Sequence, residues 1–337
     1  MNDLVCIDYN EVLDSLEKSL EKTDNICLYI DFPFCRSNCL YCIYHSLPYK
    51  SLLEHREEYV NAVLKQLDSY EHLLKLKPIQ SVYFGGGTPS LWTEQELLEI
   101  VHRIPNFEKI DSVKSEMHPF DITDQRIGFY ANILNLKVAS LGVQSLNPES
   151  CKGQHRLYVS PDKLKHIVEE FHKYGIYVNI DLVALFNGDT EEDWRIFNHD
   201  LHTVVESIKP DVITSIPNYR TKLDYPSQIP RFRKILSSVC SGAYIPSSSK
   251  TLSMDYDDIR RYGKNDHWIG TKEFFEFSRN TFRYCCSSPK NGRSNNQMTI
   301  AIGGADKHLV YSYTYDGKVF YSSYDFEQKE FRYYSLR

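Results

Sequence analysis

The feature that most constrains this chain is a regular alternation of short apolar runs with amphipathic segments. The apolar runs fall at residues 26–32, 79–84, 112–117, 138–143, 177–185 and 212–216. Segments of helical period lie between them at 51–76, 93–103, 123–134, 160–174 and 190–208. A strand that is apolar on both faces must be covered on both, and strands joined through helices run parallel, so the pattern predicts a parallel sheet wrapped by helices. Eight such units close a full barrel, whereas the six found here leave an open partial barrel or a doubly wound sheet. Thr93 followed by Glu96 has the spacing of a capping box and opens one of the helices.

After Pro217 the texture changes. Residues 218–250 read as irregular, with a helix expected at 229–240 and a linker at 247–250. Short aromatic strands are expected at 274–278, 299–303, 309–315 and 318–324, the last two joined by Asp316-Gly317, a hairpin signal. The organisation expected is a helical extension over 1–25, a core over 26–217, and a small antiparallel α+β appendage over 218–337 that covers the substrate. Many of the 25 tyrosines fall in that appendage.

With 42% hydrophobic and 25% charged residues, the chain reads as globular rather than disordered or fibrous. No apolar run approaches the ~20 residues of a membrane span, and the first ten residues carry acids where an export signal carries lysines. The reading is a cytoplasmic protein with no membrane partner. A net charge of -6 provides no basic field for nonspecific nucleic-acid binding.

Nine cysteines without an export signal argue for free thiols rather than disulfides, so their spacing decides their use. Cys35, Cys39 and Cys42 form a Cys-x3-Cys-x2-Cys loop directly after the first strand. Three such thiolates can hold a cubane 4Fe-4S cluster by three irons and leave the fourth iron open. Zinc would need a fourth ligand, for which His45 is the near candidate, and ordinary buried thiols are the third reading. Cys6, Cys27 and Cys151 read as packing thiols, and the spacing of Cys285-Cys286 suggests no second cluster.

The run Tyr29-Ile-Asp-Phe-Pro-Phe-Cys35-Arg-Ser-Asn-Cys39-Leu-Tyr41-Cys42 resembles the cluster motif of radical S-adenosylmethionine (SAM) enzymes. The branch it resembles is that of oxygen-independent coproporphyrinogen III oxidase and its heme-chaperone relatives. Further segments follow in the same order: Val82-Tyr-Phe-Gly-Gly-Gly-Thr-Pro-Ser90, Ser115-Glu-Met-His-Pro119, Ser140-Leu-Gly-Val-Gln-Ser145, Gly153-Gln-His-Arg156 and Asn179-Ile-Asp-Leu182. The resemblance covers residues 26–217 and is weaker at 274–278 and 300–305. It implies a TIM-like partial (β/α)6 barrel, a 4Fe-4S cluster, one or two SAM molecules, and a reductant such as flavodoxin or ferredoxin. The chemistry implied is one-electron cleavage of SAM to a 5′-deoxyadenosyl radical.

By that resemblance, Gly85, Gly86 and Gly87 with Thr88 meet the amino end of SAM, Tyr41 lies near its adenine, and Tyr29 contacts it at the cluster. Glu116, Gln144, Arg156 and Asp181 look like the polar lining of the same site. Independently of any family, Glu116, Gln144 and Asp181 fall on separate strands, the first two at C-terminal ends, where α/β folds gather their sites. The bland readings are a core aromatic for Tyr41 and caps or ion pairs for the polar residues. His118, His155 and His308 are candidate proton donors.

Several positions depart from the branch. Asp31 stands where the family commonly has His, Ile43-Tyr44 replaces a Cys-containing extension, Phe186-Asn187-Gly188 replaces Leu-Pro-Gly, and no His-Asn segment precedes Ile300. The expectation is therefore a radical SAM enzyme acting on a small or peptide-borne organic substrate, in one version by methyl or methylene transfer from a second SAM. The alternatives are a heme-related protein, either oxidase-like or a chaperone, and a noncatalytic cluster-bearing binding protein. The departures count against the heme-related readings.

Overall fold

A computed structural model of the chain describes residues 4–42, 44, 46–110, 112–218, 230, 231, 234, 235, 238, 239, 244–246, 267–271, 273 and 297–336. The chain opens with β1 (Leu4–Ile7) and α1 (Tyr9–Leu20), then enters β2 (Asn25–Phe32). A short pair follows, β3 (Phe34–Cys35) and β4 (Leu47–Pro48). The expected alternation then runs α2 (Tyr49–Leu76), β5 (Ile79–Gly86), α3 (Glu94–Val101), β6 (Ser112–Met117), α4 (Asp124–Asn132) and β7 (Val138–Gln144). It continues through α5 (Pro148–Gly153), α6 (Pro161–Lys173), β8 (Tyr177–Ala184), α7 (Glu191–Thr203) and β9 (Val212–Pro217). The C-terminal strands are β10 (Tyr244–Pro246), β11 (His267–Thr271), β12 (Gln297–Ile302), β13 (Val310–Tyr313), β14 (Val319–Asp325) and β15 (Glu330–Leu336).

Thirteen of these strands form one sheet in the order β1-β15-β14-β13-β12-β2-β5-β6-β7-β8-β9-β11-β10. The six strands expected in parallel, β2 and β5 to β9, lie side by side in chain order. Their apolar faces explain the arrangement: Ile26, Leu28, Ile30, Val82, Phe84 and Val113 join one core with Tyr59, Val63 and Leu67 of α2. Each such side chain removed from water contributes about 1.5–3 kcal/mol. The capping box is present, with Glu96 N–H donating to the Thr93 hydroxyl at 3.2 Å and Thr93 N–H donating to the Glu96 carboxylate at 2.7 Å. No helix among the described residues is long and apolar enough to cross a membrane.

The C-terminal strands hydrogen-bond into the same sheet. Met298, Ile300, Ala301 and Ile302 of β12 are buried, so this strand is apolar on both faces and needs an interior place. It takes that place beside β2, in parallel, with Gln297 opposite Asn25 and Ile302 opposite Ile30. The antiparallel strands β13 to β15 continue from it, and β10 and β11 extend the opposite edge beyond β9. The amphipathic start forms the expected helix as α1, and a strand that was not expected precedes it. Leu4–Ile7 is a strand, with Leu4 opposite Leu336, and Cys6 on it is exposed rather than packed. The expected strand at 274–278, the linker at 247–250, most of the helix at 229–240, Cys285, Cys286 and His45 lie outside the described residues.

Candidate functional site

Pro33 ends β2 and the chain turns into the cysteine loop. Three backbone bonds tie that loop down: Leu47 N–H to the Pro33 carbonyl at 2.7 Å, Cys42 N–H to the Cys39 carbonyl at 3.2 Å, and Leu40 N–H to the Gln154 carbonyl at 3.1 Å. The last bond joins the loop to the segment after α5, which carries Arg156. Cys39 is buried, and Cys35 and Cys42 are half-buried. Burial pushes the Cys35 and Cys42 thiols up, whereas the Arg156 cation favours their thiolate forms. The Thr88 hydroxyl donates to the Cys35 sulfur at 3.2 Å, and Arg156 Nη1 lies 4.0 Å from the Cys39 sulfur.

The spacing of the thiols bears on two of the metal readings. A single zinc at about 2.3 Å from each sulfur would draw the sulfurs to roughly 3.8 Å from one another. Among the described residues, the three sulfurs do not all lie within 4.8 Å of each other. A cubane binds each thiolate to a different iron, which suits the wider spread.

The glycines that follow β5 have a reason in the fold itself. Gly86 has φ +114°, and a Cβ there would meet the Asp31 carboxylate and come 2.8 Å from Phe32 N. A Cβ on Gly87 would lie 2.8 Å from the carbonyl oxygens of Pro33 and Phe34. These residues therefore let β5 rest directly on the turn into the cysteine loop, which places Thr88 against Cys35. Gly85 lies opposite Asp31, and its missing Cβ leaves room for the Tyr29 ring.

The other predicted residues collect around the same strand ends. Tyr29 stacks on Tyr83 at 5.6 Å between ring centres, and the Tyr83 hydroxyl bonds the Glu116 carboxylate. A bulge between Gly142 and Gln144 on β7 holds Gln144 at φ 72° and re-aims its side chain. Arg156 donates through Nη2 to the Gly142 carbonyl, while its Nε and the Gln144 Oε1 are buried without a partner. Asp181 accepts from Asn179 at 2.6 Å and Ser140 at 3.2 Å, and burial holds its carboxyl above the usual range. Tyr41 packs on Phe186 at 4.8 Å beside Cys151 and Val183, so its ring belongs to an apolar cluster next to the loop.

The histidines separate. His118 Nδ1 accepts the Phe120 N–H at 3.1 Å, and burial with Arg156 nearby pushes its pKa to about 2, so it is neutral with its proton on an unpartnered Nε2. It can donate a hydrogen bond but is no acid reservoir. His155 is exposed, and only its carbonyl faces the Cys39 sulfur, at 3.8 Å. His308 Nε2 pairs with the Asp31 carboxylate at 2.9 Å, and both side chains are buried. Burial would lower His308, but Asp31 more than reverses this and holds the imidazole above its ordinary value. Sequence reasoning missed this pair, because its members are 277 residues apart. It also missed Lys114, whose signal was available: it lies two residues before Glu116, on the same strand face.

The profile of the radical SAM superfamily matches residues 29–200. A heme chaperone HemW of Buchnera aphidicola is 30% identical over 165 residues, which is 48% of this chain and 43% of that protein. The oxygen-independent coproporphyrinogen III oxidase of Helicobacter pylori is 28% identical over 248 residues, 65% of this chain and 54% of that protein. The chain thus spans about half the length of the curated relatives it matches. The solved coproporphyrinogen III oxidase HemN of Escherichia coli has a TM-score of 0.65 at 16% identity, over 96% of this chain and 75% of that one, a likeness of fold.

Proposed function

Because the chain belongs to the radical SAM superfamily, we propose that it holds a 4Fe-4S cluster on Cys35, Cys39 and Cys42, binds SAM beside Gly85, Gly86, Gly87 and Thr88, and serves a heme-related role. The observation that carries this reading is the loop itself, with three thiols on one short turn faced by Thr88 and Arg156. When bound, the cluster and SAM supply radical chemistry that no side chain here could perform. The protein's own part is electrostatic and geometric. Arg156 stabilises thiolates, Thr88 donates to Cys35, and Tyr29, Glu116, Gln144 and Asp181 are the polar groups placed to orient the ligand.

The relatives bear the names heme chaperone and coproporphyrinogen III oxidase, and these support a heme-related substrate or cargo over methyl transfer or a peptide-borne substrate. One departure that counted against this role also weakens. Asp31 replaces the family's His, but it is paired with the imidazole of His308 from the connection between β12 and β13, so the position is not without a histidine neighbour. A small-molecule substrate and a reductant remain part of the reading.

The test is anaerobic reconstitution with iron and sulfide, followed by analysis for 5′-deoxyadenosine and by titration with heme. About four irons per chain with SAM cleavage supports the enzyme reading. Cluster formation and heme binding without cleavage would favour a chaperone. Iron near zero, or a cluster with neither activity, overturns the proposal.

A further inference from the structure

Two acids of α7 have no part in the proposed function. Asp193 and Asp200 stand two helical turns apart, so their side chains lie on one face of the helix. That face is turned inward, and the two residues are only 8% and 3% exposed. With Ser145, just past β7, and Ser150, on α5, they line a cavity of about 10 Å³, which has room for one water-sized occupant. Val183 and Phe186 supply its apolar wall.

Asp200 is only half satisfied. Its Oδ2 accepts from the Ser145 hydroxyl at 2.6 Å and from Leu146 N–H at 3.0 Å, while Oδ1 is buried with no partner. Asp193 Oδ2 accepts the N–H of Thr190 at 3.2 Å and its hydroxyl at 2.5 Å. Among the described residues, neither carboxylate lies within the 4.0 Å of an ion pair with a lysine, arginine or histidine. Burial pushes the Asp200 carboxyl up, and its two hydrogen bonds and the neighbouring His199 offset this only in part. Two buried carboxylates facing one cavity are unfavourable unless a cation joins them.

The size and the donors of the cavity select that cation. Mg²⁺ keeps several of its waters, and Ca²⁺ takes about six to eight oxygens. A space for one occupant, offering two carboxylates and the hydroxyls of Ser145 and Ser150, suits neither.

We infer that this cavity binds one alkali-metal cation, Na⁺ or K⁺, between Asp200 and Asp193. The site is separate from the cysteine loop, and the inference does not depend on what that loop holds. Its occupant would nevertheless brace the loop's support. Ser150 belongs to the helix whose end supplies the Gln154 carbonyl to Leu40 N–H, and Phe186 packs on Tyr41.

Thermal unfolding of the full chain in choline, sodium and potassium chloride, at one ionic strength, tests this, because choline is too large to enter. Sodium or potassium should raise the midpoint by roughly 2–4 °C over choline. Asp200→Asn keeps an acceptor for Ser145 but removes the charge, and should abolish the difference between salts. Glu192→Gln, at an exposed acid of the same helix, should retain it. The reading is a difference between salts, so a variant that is merely less stable does not imitate the result. If Asp200→Asn does not fold, Ser150→Val, which fills the cavity and leaves both acids, takes its place with the same expected loss. Equal midpoints of wild type in the three salts, as for a cavity that holds a water or a carboxyl proton, would overturn the inference. A difference that survives in Asp200→Asn or Ser150→Val, or that disappears in Glu192→Gln, would overturn it as well.

Discussion

The strand ends around the cysteine loop and the C-terminal strands differ in how their buried polar atoms are treated. At the strand ends, Gln144 Oε1, Arg156 Nε and His118 Nε2 are buried without partners. In the C-terminal strands the buried hydroxyls are satisfied. Ser312 accepts from Ala301 N–H at 2.9 Å, Ser322 donates to the Gly303 carbonyl at 3.2 Å, and Ser323 donates to the Asp306 carbonyl at 2.7 Å. Unmet hydrogen bonding out of water is unfavourable, so it persists where something else selects for it. Unpartnered buried atoms also occur away from the loop, at Trp92 Nε1, Ser112 Oγ and Asp200 Oδ1, so the contrast distinguishes these two regions and is consistent with the proposed ligand site at the first. Substitutions in the first should cost chemistry, and in the second folding free energy.

The largest expected effect is on chemistry. Replacing Cys35, Cys39 or Cys42 by Ala should abolish the brown cluster chromophore and SAM cleavage, read by visible absorption and product analysis. A variant that kept both would break the assignment of the loop.

Next is the joint between the two regions, the Asp31–His308 pair. Removing one member of a buried pair costs about 3–5 kcal/mol, so His308→Ala should lower the urea midpoint steeply. The pH dependence has a definite sign. His308 is held above its ordinary value in the folded state, so its stabilisation is full below about pH 6.5 and is lost as pH rises through the folded value. Asp31→Asn should remove that dependence, and an unchanged stability curve against pH would show that the pair is not ionic.

Gly86→Ala should cost about 2 kcal/mol or more, because its φ of +114° and its contact with Phe32 N exclude a Cβ. The loss should appear in urea unfolding of cluster-free protein, which separates a fold requirement from a ligand requirement. The smallest effects sharpen the contrast most directly. Ser322→Ala should cost about 1 kcal/mol through the lost bond to Gly303, whereas Gln144→Leu should be neutral or slightly stabilising. A destabilising Gln144→Leu would mean that its carboxamide is already satisfied without ligand.

Much of the site was legible because it is written in short motifs. The cysteine spacing, the glycine run, and the positions of Glu116, Gln144 and Asp181 at or near strand ends each depend on neighbours a few residues away. The glycines carried a second meaning that only packing reveals, since Gly86 and Gly87 lie against Asp31, Pro33 and Phe34. Tyr41 and the histidines were ambiguous for a related reason. A ring or an imidazole has no local signature that distinguishes a ligand contact from a packed neighbour.

The parallel core and the cysteine loop were determined by sequence alone, because periodicity and motif spacing act over one helix–strand unit, whereas the side-by-side chain order of β2 and β5 to β9, which distinguishes a partial barrel from a doubly wound sheet, came from the structure. Tertiary structure decided the rest. It inserted β12 beside β2, added β1 as the edge strand by pairing Leu4 with Leu336, and brought His308 to Asp31. Those placements come from burying surfaces that are distant in the chain, and the free energy of such contacts has no counterpart in any local stretch of residues.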